Sequence, residues 1–171
     1  MNASFEVTHA MPSISSDTKT RLVVVPILRD EQERILICRM PPDRGVFPDQ
    51  WGLPGGGVES GERINEALAR EIAEELGVTI REARPLFFKD GLHEKTFPDG
   101  SKRAIYMVFL LYECRISSNE SIHLNPEFCD YAWVEPARLS SYDLNSATQD
   151  TFKSLGLLEG DFAMQAQNRQ T

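Results

Sequence analysis

The sequence predicts an α/β sandwich in which helices cover a mixed β-sheet. Apolar runs of strand length recur on both sides of a strongly amphipathic helical segment, and a second helical segment follows near the C-terminus. The length of 171 residues suits one domain with a substantial core, and no internal repeat or linker divides it.

Residues 1–19 are rich in Ser, Thr and small polar residues without a period, which predicts a flexible extension ahead of a folded domain at 20–158. Arg21 to Leu28 (RLVVVPIL) and Arg34 to Arg39 (RILICR) read as a hairpin about the polar Asp30-Glu31-Gln32-Glu33 turn. Residues 41–50 hold three prolines and a glycine and predict a loop. A helix is expected from about residue 63 to Leu76, ended by Gly77 as a left-handed cap. Ala83 to Lys89 and Ala104 to Glu113 are strand candidates, separated by a polar excursion with a Pro98-Asp99-Gly100 turn. Asp130 to Val134 reads as a further strand and Ala147 to Leu157 as a terminal amphipathic helix. Residues 159–171, ending QAQNRQT, are expected to be a flexible tail.

Charged residues make up 26% and apolar ones 41%, ordinary for a soluble globular chain. The net charge of −8 argues against broad nucleic-acid binding, which needs a basic face. Cys38, Cys114 and Cys129 form no CxxC pair, so buried reduced thiols are expected. No stretch approaches eighteen apolar residues, and no basic region followed by an apolar run opens the chain. The expectation is a cytoplasmic protein with no membrane partner; a homodimer is compatible with the sequence.

The chemistry concentrates in residues 56–78, GGVESGERINEALAREIAEELGV. Glu71, Glu74 and Glu75 stand at i, i+3 and i+4, so on a helix their carboxylates converge over an arc of about 100°. The apolar stripe Ile64, Leu68, Ile72 and Leu76 overlaps the edge of that arc, which points Glu75 toward the core. Three converging, partly desolvated carboxylates raise one another's pKa unless a cation compensates. Clustered carboxylate oxygens suit Mg²⁺, with Mn²⁺ as a substitute, rather than a soft metal. Arg70, four residues before Glu74, is placed to hold one carboxylate through a forked hydrogen bond. The preceding Trp51-Gly52-Leu53-Pro54-Gly55-Gly56-Gly57 predicts a strand end and a loop with little side-chain cover, open to a metal or a phosphate.

Gly56, Glu62, Arg70, Glu71, Glu74, Glu75 and Gly77, with aliphatic Ile72 and Val78, fall at the intervals of the Nudix box without a departure. Seven such identities arise by chance in roughly one chain in a million or fewer. The chain thereby resembles the Nudix hydrolases, which implies an α/β/α sandwich and metal-dependent cleavage of a nucleoside diphosphate linked to a further group. Where family members often place Ser or Thr after the first box glutamate as a helix cap, this chain has Arg63. The segments DRGVFPDQWGLPGGGVESGERINEAL, IYMVFLLYEC and EFCDYAWVEPARLSSYDLNSAT, within residues 21–158, resemble the bacterial pyrimidine-preferring deoxynucleoside triphosphatases of that family.

The resemblance implies that Glu71, Glu74 and Glu75 ligate metal, with the Gly55 carbonyl a backbone ligand. It implies a further metal-binding or basic role for Glu127, six residues before Trp133, against the alternative of an exposed acid. Glu62 is implied to be structural or to support the metal ligands from behind. Asn145 is either a base-binding residue or an ordinary helix cap. Arg39, Arg44 and Lys95 are candidates for the triphosphate, and Phe47 and Phe97 for base stacking or core packing. His9, His93 and His123 lack ligand spacing.

The expected function is Mg²⁺-dependent hydrolysis of deoxynucleoside triphosphates, with pyrimidines preferred, to monophosphate and pyrophosphate. The expected partner is the small nucleotide, with a second copy of the chain possible as a homodimer. Two other Nudix activities stand as alternatives: removal of oxidised purine nucleotides, and hydrolysis of a nucleotide sugar such as GDP-mannose. A non-catalytic nucleotide sensor is the alternative of another class; such domains typically lose a metal carboxylate, and all three are present here.

Overall fold

Strand β1 (Lys19–Arg29) is the centre of the molecule, and its continuous apolar run reflects cover on both faces. Val24 and Leu28 turn to one side and Ile27 to the other, each at most 1% exposed. The structure is a computed structural model that describes residues 18–43, 47–96, 102–116 and 120–159. The expectations for residues 1–17 and 160–171 and for the turn at 98–100 lie outside those residues.

The predicted hairpin forms. In its turn the Asp30 carboxylate accepts from the N–H groups of Gln32 and Arg34, and β2 (Ile35–Arg39) meets β1 antiparallel at Ile35 and Arg29. The two strands then part. β3 (Trp51–Gly52) pairs with Arg39 and Cys38 of β2, while β4 (Gly56–Gly57) pairs with Val24 and Val23 of β1. The glycine segment therefore enters as a wedge between the strands of the hairpin. Beyond β1, β6 (Lys102–Ile116) runs parallel to it from Lys19↔Ile105 to Arg29↔Arg115, and β5 (Ile80–Thr96) pairs antiparallel with β6 at the sheet edge. β7 (Asp130–Val134) pairs antiparallel with the whole of β2. The result is one mixed seven-stranded sheet of order β3-β2-β1-β6-β5, with β4 on β1 and β7 on β2.

Helix α1 (Ile64–Leu76) buries Ala67, Leu68, Ile72 and Leu76 on one sheet face, against Val24, Leu28, Leu36 and Cys38. It ends, as predicted, at Gly77 with φ 66°, a left-handed conformation in which glycine carries no Cβ penalty. At its start the Arg63 side chain offers only donors and cannot cap the helix amides, although the Arg63 carbonyl accepts the Ala67 N–H at 2.9 Å. Glu66 instead accepts the Arg63 N–H at 3.0 Å, so half of a capping box stands where Ser or Thr is absent. Helix α2 (Ser146–Ser154) covers the other face through Phe152, joined by Leu139 of a 3₁₀ helix at Pro136–Ser141 and packed with Ile35, Ile37 and Leu111. The α/β/α sandwich is complete.

Three expectations need correction. The polar stretch after Lys89 is not a loop: cross-strand pairing extends β5 to Thr96 and β6 back to Lys102, where backbone hydrogen bonding outweighs polar composition. The terminal helix spans Ser146–Ser154 rather than reaching Leu157; Gly156 has φ 70° and the Leu157 N–H turns back to the Phe152 carbonyl. Cys38 and Cys114 are buried free thiols, but Cys129 is exposed, with Sγ 3.5 Å from the Arg39 carbonyl. Among the described residues no helix is long and apolar enough to cross a membrane.

Candidate active site

The apolar residues of α1 fix its rotation, and that rotation sends Glu75 inward with Ile72, three residues earlier. Glu75 is 3% exposed. Its Oε2 accepts the Gly55 N–H at 2.8 Å, which joins the second half of the helix to the middle of the glycine wedge. Gly55 holds φ 131°, and a Cβ there would fall 2.2 Å from the Val24 carbonyl, so no side chain fits. A Cβ on Gly56 would fall 2.3 Å from a Glu71 carboxylate oxygen, and one on Gly57 would fall 2.8 Å from Arg21 Nη2. Each bare glycine lets a different group close on the loop.

The far end of the same loop is held by α2. The Asn145 N–H donates to the Trp51 carbonyl at 2.8 Å, and the Leu53 N–H donates to Thr148 Oγ1 at 3.1 Å. The sheet wedge is thus tied to both helices, one on each face.

Arg70 stands at the centre of the acidic cluster. Its Nε and Nη2 fork onto Glu62 at 2.8 and 3.0 Å, its Nη1 reaches Glu71 at 2.9 Å and Glu74 at 3.2 Å, and Nη2 also donates to the Gly57 carbonyl at 3.0 Å. The sequence pointed to a bond from Arg70 to one carboxylate; the structure gives three, with the bidentate one on Glu62. That is a structural role for Glu62, whose carboxyl is held below its ordinary pKa by the Arg70 hydrogen bonds.

Burial pushes the Glu75 carboxyl up to about 8, against the pull of the Gly55 amide and with repulsion from Glu71, Glu127 and Glu74 adding to it. Glu71 is also raised, chiefly by burial, with Arg70 opposing and Glu74 and Glu127 contributing. Glu127 is exposed, on the turn where its N–H bonds Asn125 Oδ1, and its charge adds to the upward shift of both carboxyls. A hard divalent cation fits this donor set: oxygen ligands only, mutually repelling, with a carboxyl whose pKa burial raises. Among the described residues no three carboxylates stand at ligating spacing, and Arg70 Nη1 bonds both Glu71 and Glu74.

The predicted substrate residues are less gathered. Arg39, at the end of β2, pairs with Asp49 Oδ1 at 2.6 Å and clips the proline-rich loop closed. Arg44 and Phe97 lie outside the described residues. Lys95 lies on β5 in register with Arg103. Phe47 is half-buried in that loop, its carbonyl accepting the Gln50 N–H. Asn145 is 4% exposed and caps α2: its Oδ1 accepts the Thr148 N–H at 2.9 Å while its side chain packs on Gly52. The cap is observed, and it engages the acceptor that a base would otherwise meet.

Sequence reasoning missed two cations near the loop and α2. Arg21 sits against Gly57, and nothing in a strand-start arginine announces that. Lys89 on β5 donates to the Ala147 carbonyl at 3.1 Å and to Thr151 Oγ1 at 2.8 Å, with its pKa lowered by burial. Alternation along β5 was the available signal, since a lysine on the face that carries Phe87 must meet α2.

Comparison with known proteins agrees with this geometry. The NUDIX domain matches residues 18–155. Nucleoside triphosphatase NudI of Escherichia coli is 50% identical over 142 residues, 82% of this chain and 99% of the relative; the Shigella flexneri protein of the same name matches equally. Among solved structures, the MutT protein from Methanosarcina mazei Go1 superposes with TM-score 0.65 at 23% identity, over 83% of this chain and 96% of that one. The MutT NUDIX hydrolase from Burkholderia pseudomallei gives 0.63 at 25%, over 79% and 97%.

Proposed function

This chain belongs to the Nudix family, and on that premise we propose that it hydrolyses nucleoside triphosphates to monophosphate and pyrophosphate, with Mg²⁺ or Mn²⁺ and a preference for pyrimidine deoxynucleotides. It is a hydrolase of phosphoric anhydride bonds. The observation that carries the reading is buried Glu75 bonded to Gly55 beside the Arg70-centred cluster, under a loop stripped of side chains. The name nucleoside triphosphatase, borne by relatives matched over nearly their whole length, supports the substrate class. The similarity of the segments at 43–68, 105–114 and 127–148 to pyrimidine-preferring enzymes supports the base preference.

In this reading Glu71, Glu74 and Glu75 hold the metal, with the Gly55 carbonyl and Glu127 completing the set. A bound divalent cation supplies charge neutralisation for phosphate oxygens and acidifies water. The chain's own residues do the rest. Arg70 holds Glu71 and Glu74 at fixed points and ties them, through Glu62 and Gly57, to the loop. One of the cluster carboxylates takes the proton that water loses as its oxygen bonds to phosphorus, and pyrophosphate departs with the electrons of the broken P–O bond. No covalent protein nucleophile is required. Arg39, Arg44 and Lys95 are proposed to face the triphosphate, and Asn145 the base. The partner is a small nucleotide, neither nucleic acid nor membrane; the location is cytoplasmic, and light scattering decides whether the chain is a homodimer.

The test is a phosphate-release screen, coupled to pyrophosphatase, over canonical, oxidised and sugar nucleotides, with and without Mg²⁺, scored by kcat/KM. A ranking led by dTTP, dUTP or dCTP upholds the reading. Turnover confined to nucleotide sugars or oxidised purines replaces it, and full activity in EDTA removes the metal from it.

A further inference from the structure

We propose that Arg21 is a substrate-binding residue whose guanidinium holds the phosphate chain. The inference rests on the reading of the chain as a hydrolase of phosphoric anhydrides. Arg21 lies two residues before Val23 on β1, hence on the same face, and Val23 pairs with Gly57. That register sets the guanidinium over the last glycine of the wedge. A Cβ built on Gly57 would fall 2.8 Å from Arg21 Nη2, 2.9 Å from Nε and 3.2 Å from Cζ. The head of Arg21 therefore occupies the space that a side chain of residue 57 would fill, inside the loop that precedes the acidic helix. Both nitrogens lie nearer than Cζ, so the Nε edge faces the glycine and the Nη1 end is left clear of this contact.

Two guanidiniums flank Gly57, and they differ. Arg70 donates to the Gly57 carbonyl and is engaged by Glu62, Glu71 and Glu74. Arg21 is exposed and, among the described residues, makes no hydrogen bond or ion pair. Other cations near the loop and α2 are committed: Arg39 to Asp49, and Lys89 to Ala147 and Thr151. An arginine with open donors, held by backbone register against the glycine loop and bonded to no carboxylate, is set for an anion brought from outside. Its planar fork matches phosphate oxygens, and a polyphosphate is the anion this reaction delivers. Gly57 makes the placement possible. Any larger residue there must displace the guanidinium, and because that is the free end of a flexible side chain, the displacement moves Arg21 without rebuilding the loop.

The experiment compares Arg21→Gln, Arg21→Lys and Gly57→Ala with Arg84→Gln. The last removes a positive charge from a 68% exposed arginine on β5, paired with Glu113. Binding of inorganic pyrophosphate to the full chain with Mg²⁺ is measured by calorimetry. KM and kcat are then taken on the best nucleotide of the screen, and melting is followed in parallel. Arg21→Gln and Gly57→Ala are expected to weaken pyrophosphate binding about tenfold or more and to raise KM alike, with kcat changed less. Arg21→Lys is expected to fall between, and Arg84→Gln to stay within about twofold, as a loss of diffuse charge alone would give. Unchanged pyrophosphate affinity in folded Arg21→Gln overturns the proposal. So does an equal loss in Arg84→Gln, or a wild-type chain that binds no pyrophosphate. Should Arg21→Gln fail to fold, Gly57→Ala decides, since it keeps Arg21 and moves only its head. A wild-type chain that binds pyrophosphate but turns over no nucleoside triphosphate refutes the nucleotide reading instead, and leaves Arg21 judged on the pyrophosphate data.

Discussion

The Gly55 amide donates to the buried Glu75 carboxyl at 2.8 Å, so the glycine wedge and the acidic helix share a hydrogen bond at the point where both leave solvent. Glutamine keeps that acceptor and loses the charge. Glu75→Gln should therefore fold and retain the loop, while kcat falls by orders of magnitude. Above pH 8 and without metal, the variant should melt higher than the wild type, because it never ionises in the buried site. A variant with near-normal kcat would remove Glu75 from the chemistry.

The pH dependence of stability follows from the same carboxyl. Its pKa is raised in the folded chain from 4.5 to about 8 by burial. In that window the folded chain keeps a proton that the unfolded chain has released. The associated stability is complete below the ordinary value and is lost as pH rises through about 8, an effect on the order of a few kcal/mol. Metal-free protein should melt progressively lower from about pH 5 to 8, and Mg²⁺ should restore stability most at the alkaline end. Activity should rise over the same range as the cluster ionises, and chelation should abolish it. A melting temperature that climbs toward pH 8 in EDTA contradicts the assignment.

Arg70 bonds three carboxylates through one guanidinium. Arg70→Gln should cost about 1.5–3 kcal/mol, the range for hydrogen bonds to charged groups. Arg70→Lys should recover little of it, since an ammonium cannot bridge Glu62 bidentately while reaching Glu71 and the Gly57 carbonyl. Denaturant melts at low and high salt measure this, with salt narrowing the gap to wild type.

Asn145 closes the start of α2 and packs on Gly52. Asn145→Ala should cost about 1 kcal/mol as a lost cap. If its remaining donor also meets the base, kcat/KM should drop more for the preferred pyrimidine than for dGTP, flattening the ranking. Loss of stability with the ranking intact assigns Asn145 to the cap alone.

Where one physical requirement set the pattern, the sequence was legible. The spacing of Ile72, Glu75 and Leu76 predicted an inward-facing glutamate, and Glu75 is buried. The hairpin, the strand at Asp130–Val134 and the Gly77 cap were legible for the same reason. The extent of β5 and β6 was not, because pairing between strands overrides polar composition and leaves no local mark. Arg63 shows a milder case: its lack of an acceptor was plain, but rescue by Glu66 depended on a side chain three residues on. Arg21 is the clearest illegible residue, since its place over Gly57 arises from register between segments thirty-odd positions apart.

The wedge between β1 and β2 bears on how the molecule breathes. β3 and β4 are the two ends of one loop, each hydrogen-bonded to a different strand of the parted hairpin, with Pro26 Cδ 3.1 Å from the Cβ position of Gly55 between them. Such a loop lifts only when its pairings with β1 and β2 and the Gly55–Glu75 bond break together. The Gly55 amide should then exchange with deuterium at the rate of the slowest core amides of β1 and β6, through global opening and not local fluctuation. The timing of catalysis would accordingly be left to the nucleotide and the metal that arrive, and not to motion of the loop that receives them.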